Sequence, residues 1–133
     1  MLGGGAYTCV LCRGEETVTC TERGVKPLLG LMDGGNDWKG FSAADKVVGK
    51  AAAFLYVLLG VAEVYAPVMS EAAVRVLREN GIEPQYDTLT ENIINRAGTG
   101  LCPMEAAVSE LSDPAEALRA IRKRLSELYT DFR

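Results

Sequence analysis

Two short stretches of the chain carry side chains suited to chemistry. The first is Cys102-Pro103-Met104-Glu105, which follows the glycine-bearing loop Arg96-Ala97-Gly98-Thr99-Gly100-Leu101. Proline at the first helical position with an acid two residues later marks a helix start. Cys102 therefore stands at an N-cap, where free backbone N–H groups and the positive end of the helix converge. Such an end binds an anion or lowers a thiol pKa. This makes Cys102 a candidate nucleophile and Glu105 a candidate proton carrier, with Thr99 and Gly100 as ligand-binding loop positions. The structural alternative is that Cys102 fills a cap and Glu105 satisfies its own helix. The loop matches neither G-x-x-x-x-G-K-[ST] nor G-x-G-x-x-G.

The second stretch is Asp45-Lys46-Val47-Val48-Gly49-Lys50. Ser42-Ala43-Ala44-Asp45 has the spacing of a capping box and predicts a helix from there to about Leu59. On that helix Lys46 and Lys50 are four apart and share a face. Lys50 lies where the helix becomes apolar throughout, so it must reach solvent, line a pocket or meet a counter-charge such as Glu105. Lys50 is thus a candidate catalytic group, with Asp45 orienting a lysine. Lys46 and Gly49 are candidate ligand contacts; the alternative is an exposed first turn with solvated lysines. Ser70 follows a strand and opens a helix, a position that borders the ligand crevice of doubly wound sheets or simply caps the helix.

Composition narrows the chemistry. The chain of 133 residues has no histidine, which excludes Ser-His-Asp and Cys-His catalysis and any His-ligated metal. A net charge of -4 argues against a nucleic-acid groove, which would show a basic excess. The four cysteines include Cys9-Val10-Leu11-Cys12, a C-x-x-C that with Cys20 and Cys102 could form a thiolate zinc site. However, period-two alternation in a strand sends Cys9 and Cys12 to opposite faces, which favours buried thiols and no metal. No cofactor is expected. The N-terminal residues lack the basic and apolar regions of a secretory signal, and the apolar run 51–61 is shorter than the about 20 residues of a spanning helix. These features point to a cytoplasmic protein with no membrane contact.

The elements that must position these residues follow from pattern. Residues 7–12 and 17–20 predict a β-hairpin turning through 13–16. Residues 24–32 predict a short helix, with Pro27 in its first turn, and 33–37 a loop. A strand over 63–68 ends or bulges at Pro67. A helix opens at Ser70 and stops at Asn80-Gly81, and 85–89 form a weaker strand. Residues 90–95 suit one or two helical turns. A helix over 103–111 is followed by a last helix capped at Asp113-Pro114-Ala115-Glu116. Its stripe Leu118, Ile121, Leu125 and Leu128 packs on the sheet or forms a homodimer. A hairpin followed by this order predicts one domain over 1–133, an α/β three-layer α/β/α sandwich with a mixed sheet.

With these elements laid out, the chain resembles a small prokaryotic family of unknown function whose fold is similar to that of cytidine deaminases. The resemblance rests on Gly24-Val25-Lys26-Pro27-Leu28-Leu29, Ala44-Asp45-Lys46-Val47-Val48-Gly49-Lys50-Ala51-Ala52-Ala53 and Cys102-Pro103-Met104-Glu105, and it spans about 7–112. Zinc deaminases carry H-x-E and P-C-x-x-C at two helix starts. Here the corresponding positions read Lys50-Ala51-Ala52 and Cys102-Pro103-Met104-Glu105, without the His ligand, the H-x-E glutamate or the second thiol. The resemblance implies a crevice between two helix starts that takes a small nucleotide-like or anionic molecule, and it does not imply zinc deamination. The alternative is a non-catalytic metabolite-binding or regulatory module.

Overall fold

The computed structural model describes residues 9–20, 26–34, 38–91 and 103–130. β1 (Cys9–Arg13) and β2 (Glu16–Cys20) form the expected antiparallel hairpin, with Arg13 opposite Glu16. Gly14, at φ 59°, supplies the left-handed first position of the two-residue turn. The chain continues through α1 (Lys26–Asp33), β3 (Ser42–Asp45), β4 (Val47–Val48), α2 (Lys50–Leu59), β5 (Glu63–Ser70), α3 (Glu71–Glu79), β6 (Glu83–Thr90), α4 (Pro103–Val108) and α5 (Pro114–Thr130).

The six strands make one mixed sheet, in which β1 runs antiparallel to β2 and β3 while β3, β4 and β6 run parallel to β5. Ser42 lies opposite Glu63, and Val47 opposite Val68. The two short strands therefore follow one line against β5. The break between them falls at Lys46, level with Pro67, which has no N–H to give the ladder.

This strand corrects the helix expected from Ser42. Ala43 is held between Leu11 on β1 and Val64 on β5, and two neighbouring strands outweigh a local capping pattern. Ser42 caps nothing; its hydroxyl donates to Glu63 at 2.7 Å. Lys46 and Lys50 consequently share no helix face, and α2 begins at Lys50.

α2 and α3 each connect neighbouring parallel strands in the same direction, so right-handed crossovers place both on one face of the sheet. α1, α4 and α5 also pack against α2. With the sheet on one side and α4 and α5 on the other, α2 buries Ala51, Ala53, Phe54, Leu55, Tyr56 and Leu59, which explains its apolar character all round. Gly60 ends it in the left-handed region at φ 82°, donating to the Tyr56 and Val57 carbonyls. On α5, Ala117 and Ile121 are fully buried, with Leu118 and Leu125 partly buried against the same core. That stripe packs within its own chain; the side chain of Leu128 lies outside the described residues. Arg122 ties α5 to α1 through Asp33 at 2.7 Å.

The opposite face of the sheet carries Val10, Ala44 and Tyr65 in register, and Tyr65 donates to Asp87 at 2.6 Å. No described helix covers it, so the second helical layer expected there is not found among the described residues. Among them, too, no helix is long and apolar enough to cross a membrane.

Candidate functional site

The parallel strands β3, β4 and β5 end beside the first turn of α2, and there the two chemistry-bearing stretches meet. Gly49, the N-cap of α2, has no side chain to offer the helix. The N–H groups of Lys50 and Ala51 have no acceptor within the helix. Glu105, from the first turn of α4, takes both: Oε1 accepts from Lys50 N and Oε2 from Ala51 N, each at 2.7 Å. A carboxylate spans two adjacent amides naturally and is favoured at the positive helix end. Burial pushes the Glu105 carboxyl above its ordinary value, while the Ala51 and Lys50 amides and the Lys50 charge pull the other way.

Glu105 thus caps a neighbouring helix. It also meets residue 50 through the backbone, not through the ammonium group. Lys50 Nζ instead donates to the Ser109 carbonyl at 3.0 Å and stands 5.8 Å from the centre of the Phe54 ring. The Glu105 carboxylate lies against the first turn of α2, where these two stretches meet.

Asp45 lies at the end of β3, facing α2. Its Oδ1 accepts from Lys46 N and its Oδ2 from the Tyr56 hydroxyl, both at 2.8 Å. The residue as a whole is partly exposed, but its carboxyl end is buried against Tyr56. Burial raises its pKa from 3.8 to about 6, against the lowering effect of the Tyr56 hydroxyl and the Lys46 and Val47 amides. Asp45 therefore orients a tyrosine and the strand break, not a lysine.

Among the other candidates, Lys46 is exposed at the break and Gly49 is buried at the cap. Ser70 is buried and accepts from Ala73 N at 3.1 Å, the bond of an N-cap. Cys102, Thr99 and Gly100 lie outside the described residues. Cys9 is buried and Cys12 exposed, so the C-x-x-C pair is split across the strand.

Next to Lys50 a groove of about 170 Å³ runs between α2 and α3, lined by Lys50, Phe54, Arg75, Val76, Asn80 and Ser112 among others. Arg75, Asn80 and Ser112 were not expected from the sequence. The available signal was the helical stripe Ala72, Arg75, Val76 and Glu79 beside the core-facing Ala73, Val74 and Leu77. Tyr56 also carried a signal, because a hydroxyl in an otherwise apolar helix needs a partner.

The family described as TM1506, domain of unknown function (DUF1893), matches residues 1–125. The chain belongs to the DUF1893 family. Among solved structures, it is similar to the crystal structure of a DUF1893 family protein, TM1506, from Thermotoga maritima. The two are 26% identical with a TM-score of 0.81, over 95% of this chain and 84% of that one. No curated protein matches the chain.

Two outcomes follow for this DUF1893 protein. Glu105→Ala leaves two helix-end amides without their charged acceptor and should cost about 2–4 kcal/mol in urea unfolding; Glu105→Gln, which keeps one acceptor oxygen, should cost about half as much. For Asp45, the folded state holds its proton to a higher pH than the unfolded chain does. Stability is therefore lost as pH rises from about 4 to about 6. Relative to Asp45→Asn, the unsubstituted protein should lose about 3 kcal/mol across that window, and a flat difference would show a solvated carboxyl.

Proposed function

We propose that this DUF1893 protein binds a small anionic molecule without turning it over, on a chain laid out like the cytidine deaminase fold. The layout is supported by the strand order: the hairpin strand β1 lies antiparallel beside β3, and parallel β5 and β6 follow through the crossovers α2 and α3. It is a similarity of architecture, and chemistry has to be argued from side chains.

Binding without turnover is supported by what the described candidate groups already do. The observation that carries the reading is the Glu105 carboxylate on the Lys50 and Ala51 amides. It occupies the N-terminus of α2 from within the chain, and it engages the one carboxylate that α4 carries. Asp45 is likewise engaged with Tyr56. A general acid or base must reach the proton it moves, and neither carboxyl is presented to a ligand. The Lys50 ammonium group, at the groove, remains suited to holding negative charge.

The test is a melting-point screen with nucleoside monophosphates, sugar phosphates and small carboxylates, followed by incubation of the best ligand with stoichiometric protein and product analysis by mass spectrometry. Stabilisation follows RT ln(1+[L]/Kd), about 2.7 kcal/mol at a hundredfold excess over Kd. The expected result is a clear shift with the ligand recovered intact. Conversion of the ligand would overturn the non-catalytic reading, and no shift with any class would overturn binding.

A further inference from the structure

We infer that the groove between α2 and α3 is an oxyanion site for one phosphate or carboxylate group, held between Lys50 and Arg75. The inference deepens the binding reading by giving it a place and a ligand class. Lys50 comes from the first turn of α2 and Arg75 from the middle of α3, so two cations on separate, mutually packed helices flank one depression. An ammonium group has three donors, and among the described residues the Ser109 carbonyl takes one of those on Lys50. Arg75 has no hydrogen bond or ion pair among the described residues, and its planar fork suits a paired oxyanion contact.

The surroundings favour the same ligand class. Phe54, Val76 and Leu111 supply the apolar part of the lining, and hydrogen bonds to a charged group are stronger than neutral ones. Asn80 donates its side-chain amide to the Val76 carbonyl at 2.8 Å, which holds it at the rim. Ser112 supplies a hydroxyl there, and Glu79 is the one acid in the lining. A carboxylate in the lining disfavours a second negative charge and can accept from a hydroxyl, so a hydroxylated monophosphate or monocarboxylate suits the groove better than a polyanion. Size agrees: about 170 Å³ is smaller than the roughly 300–1,000 Å³ of drug-sized ligand sites. It accommodates an acidic head group and little more.

The experiment titrates inorganic phosphate, and separately acetate, into the full chain at constant ionic strength, with chloride as control. Backbone amide shifts are followed by NMR in the unsubstituted protein and in Arg75→Ala, Lys50→Ala and Arg78→Ala. Phosphate or acetate should shift the amides around residues 50, 75, 80 and 112 saturably, and chloride should not. Arg75→Ala should weaken binding about tenfold, as loss of one charge-assisted contact implies. Arg78→Ala removes an exposed charge one turn from Arg75 and should leave binding unchanged. Arg75 is exposed, so its variant keeps the test valid even where Lys50→Ala disturbs the Ser109 contact. Equal weakening by Arg75→Ala and Arg78→Ala would reduce the effect to general charge and overturn the site. Saturable shifts confined to another region would overturn the groove while leaving the binding reading in place. Absence of saturable binding by either anion would overturn the groove, and the ligand screen decides the broader reading separately.

Discussion

The Glu105 carboxylate on the first two amides of α2 is the joint on which the arrangement of the site depends. α2 buries most of its residues, its first N–H groups have no acceptor within the helix, and Gly49 offers no side chain in their place. Glu105, far along the chain, supplies the acceptors. Because Glu105 does so from α4, the same contact ties α4 to the start of α2. α4 in turn packs against α5. The Ser109 carbonyl, just after α4, receives the Lys50 ammonium group. One carboxylate thereby determines the direction of the Lys50 side chain and one wall of the groove.

The second constraint is the interrupted strand. Pro67 removes a ladder donor at the level of Lys46, and Asp45 turns its carboxylate to the Lys46 amide at the break and to Tyr56 on α2. A buried carboxyl of raised pKa is unfavourable for stability at neutral pH. Its bonds couple the sheet to the helix whose start forms the candidate site. The two carboxyls have related roles: Glu105 seats α2 from the outer helical layer, and Asp45 seats it from the sheet. Both belong to groups whose types suggest chemistry and whose geometry serves positioning.

Local signals in the sequence were faithful where structure is local. The hairpin with Gly14 in its turn, the Ser70 cap of α3 and the Asp113 cap of α5, whose carboxylate accepts from Glu116 N, all depend on residues close in sequence. Ser42-Ala43-Ala44-Asp45 misled because its fate is decided by Leu11 and Val64, strands that no capping pattern records. The pairing of Glu105 with residue 50 was visible only as a proximity of charges. Its form, backbone amides in place of the ammonium group, depends on how α4 meets α2. Arg75 was not legible as a site residue because a polar residue on an amphipathic helix looks solvated until a second helix brings another cation to the same groove. Cys102, the candidate nucleophile, and the candidate ligand-binding positions Thr99 and Gly100 lie outside the described residues.

Amide hydrogen exchange at Lys50 and Ala51, read residue by residue by NMR, tests the central joint most directly. First-turn amides of a helix normally exchange close to the unprotected rate because they have no helical acceptor. If Glu105 holds both, their exchange is slowed on the order of a hundredfold or more and requires an opening that detaches α4. Exchange of either amide at the unprotected rate would contradict the joint, and with it the placement of Lys50 at the groove.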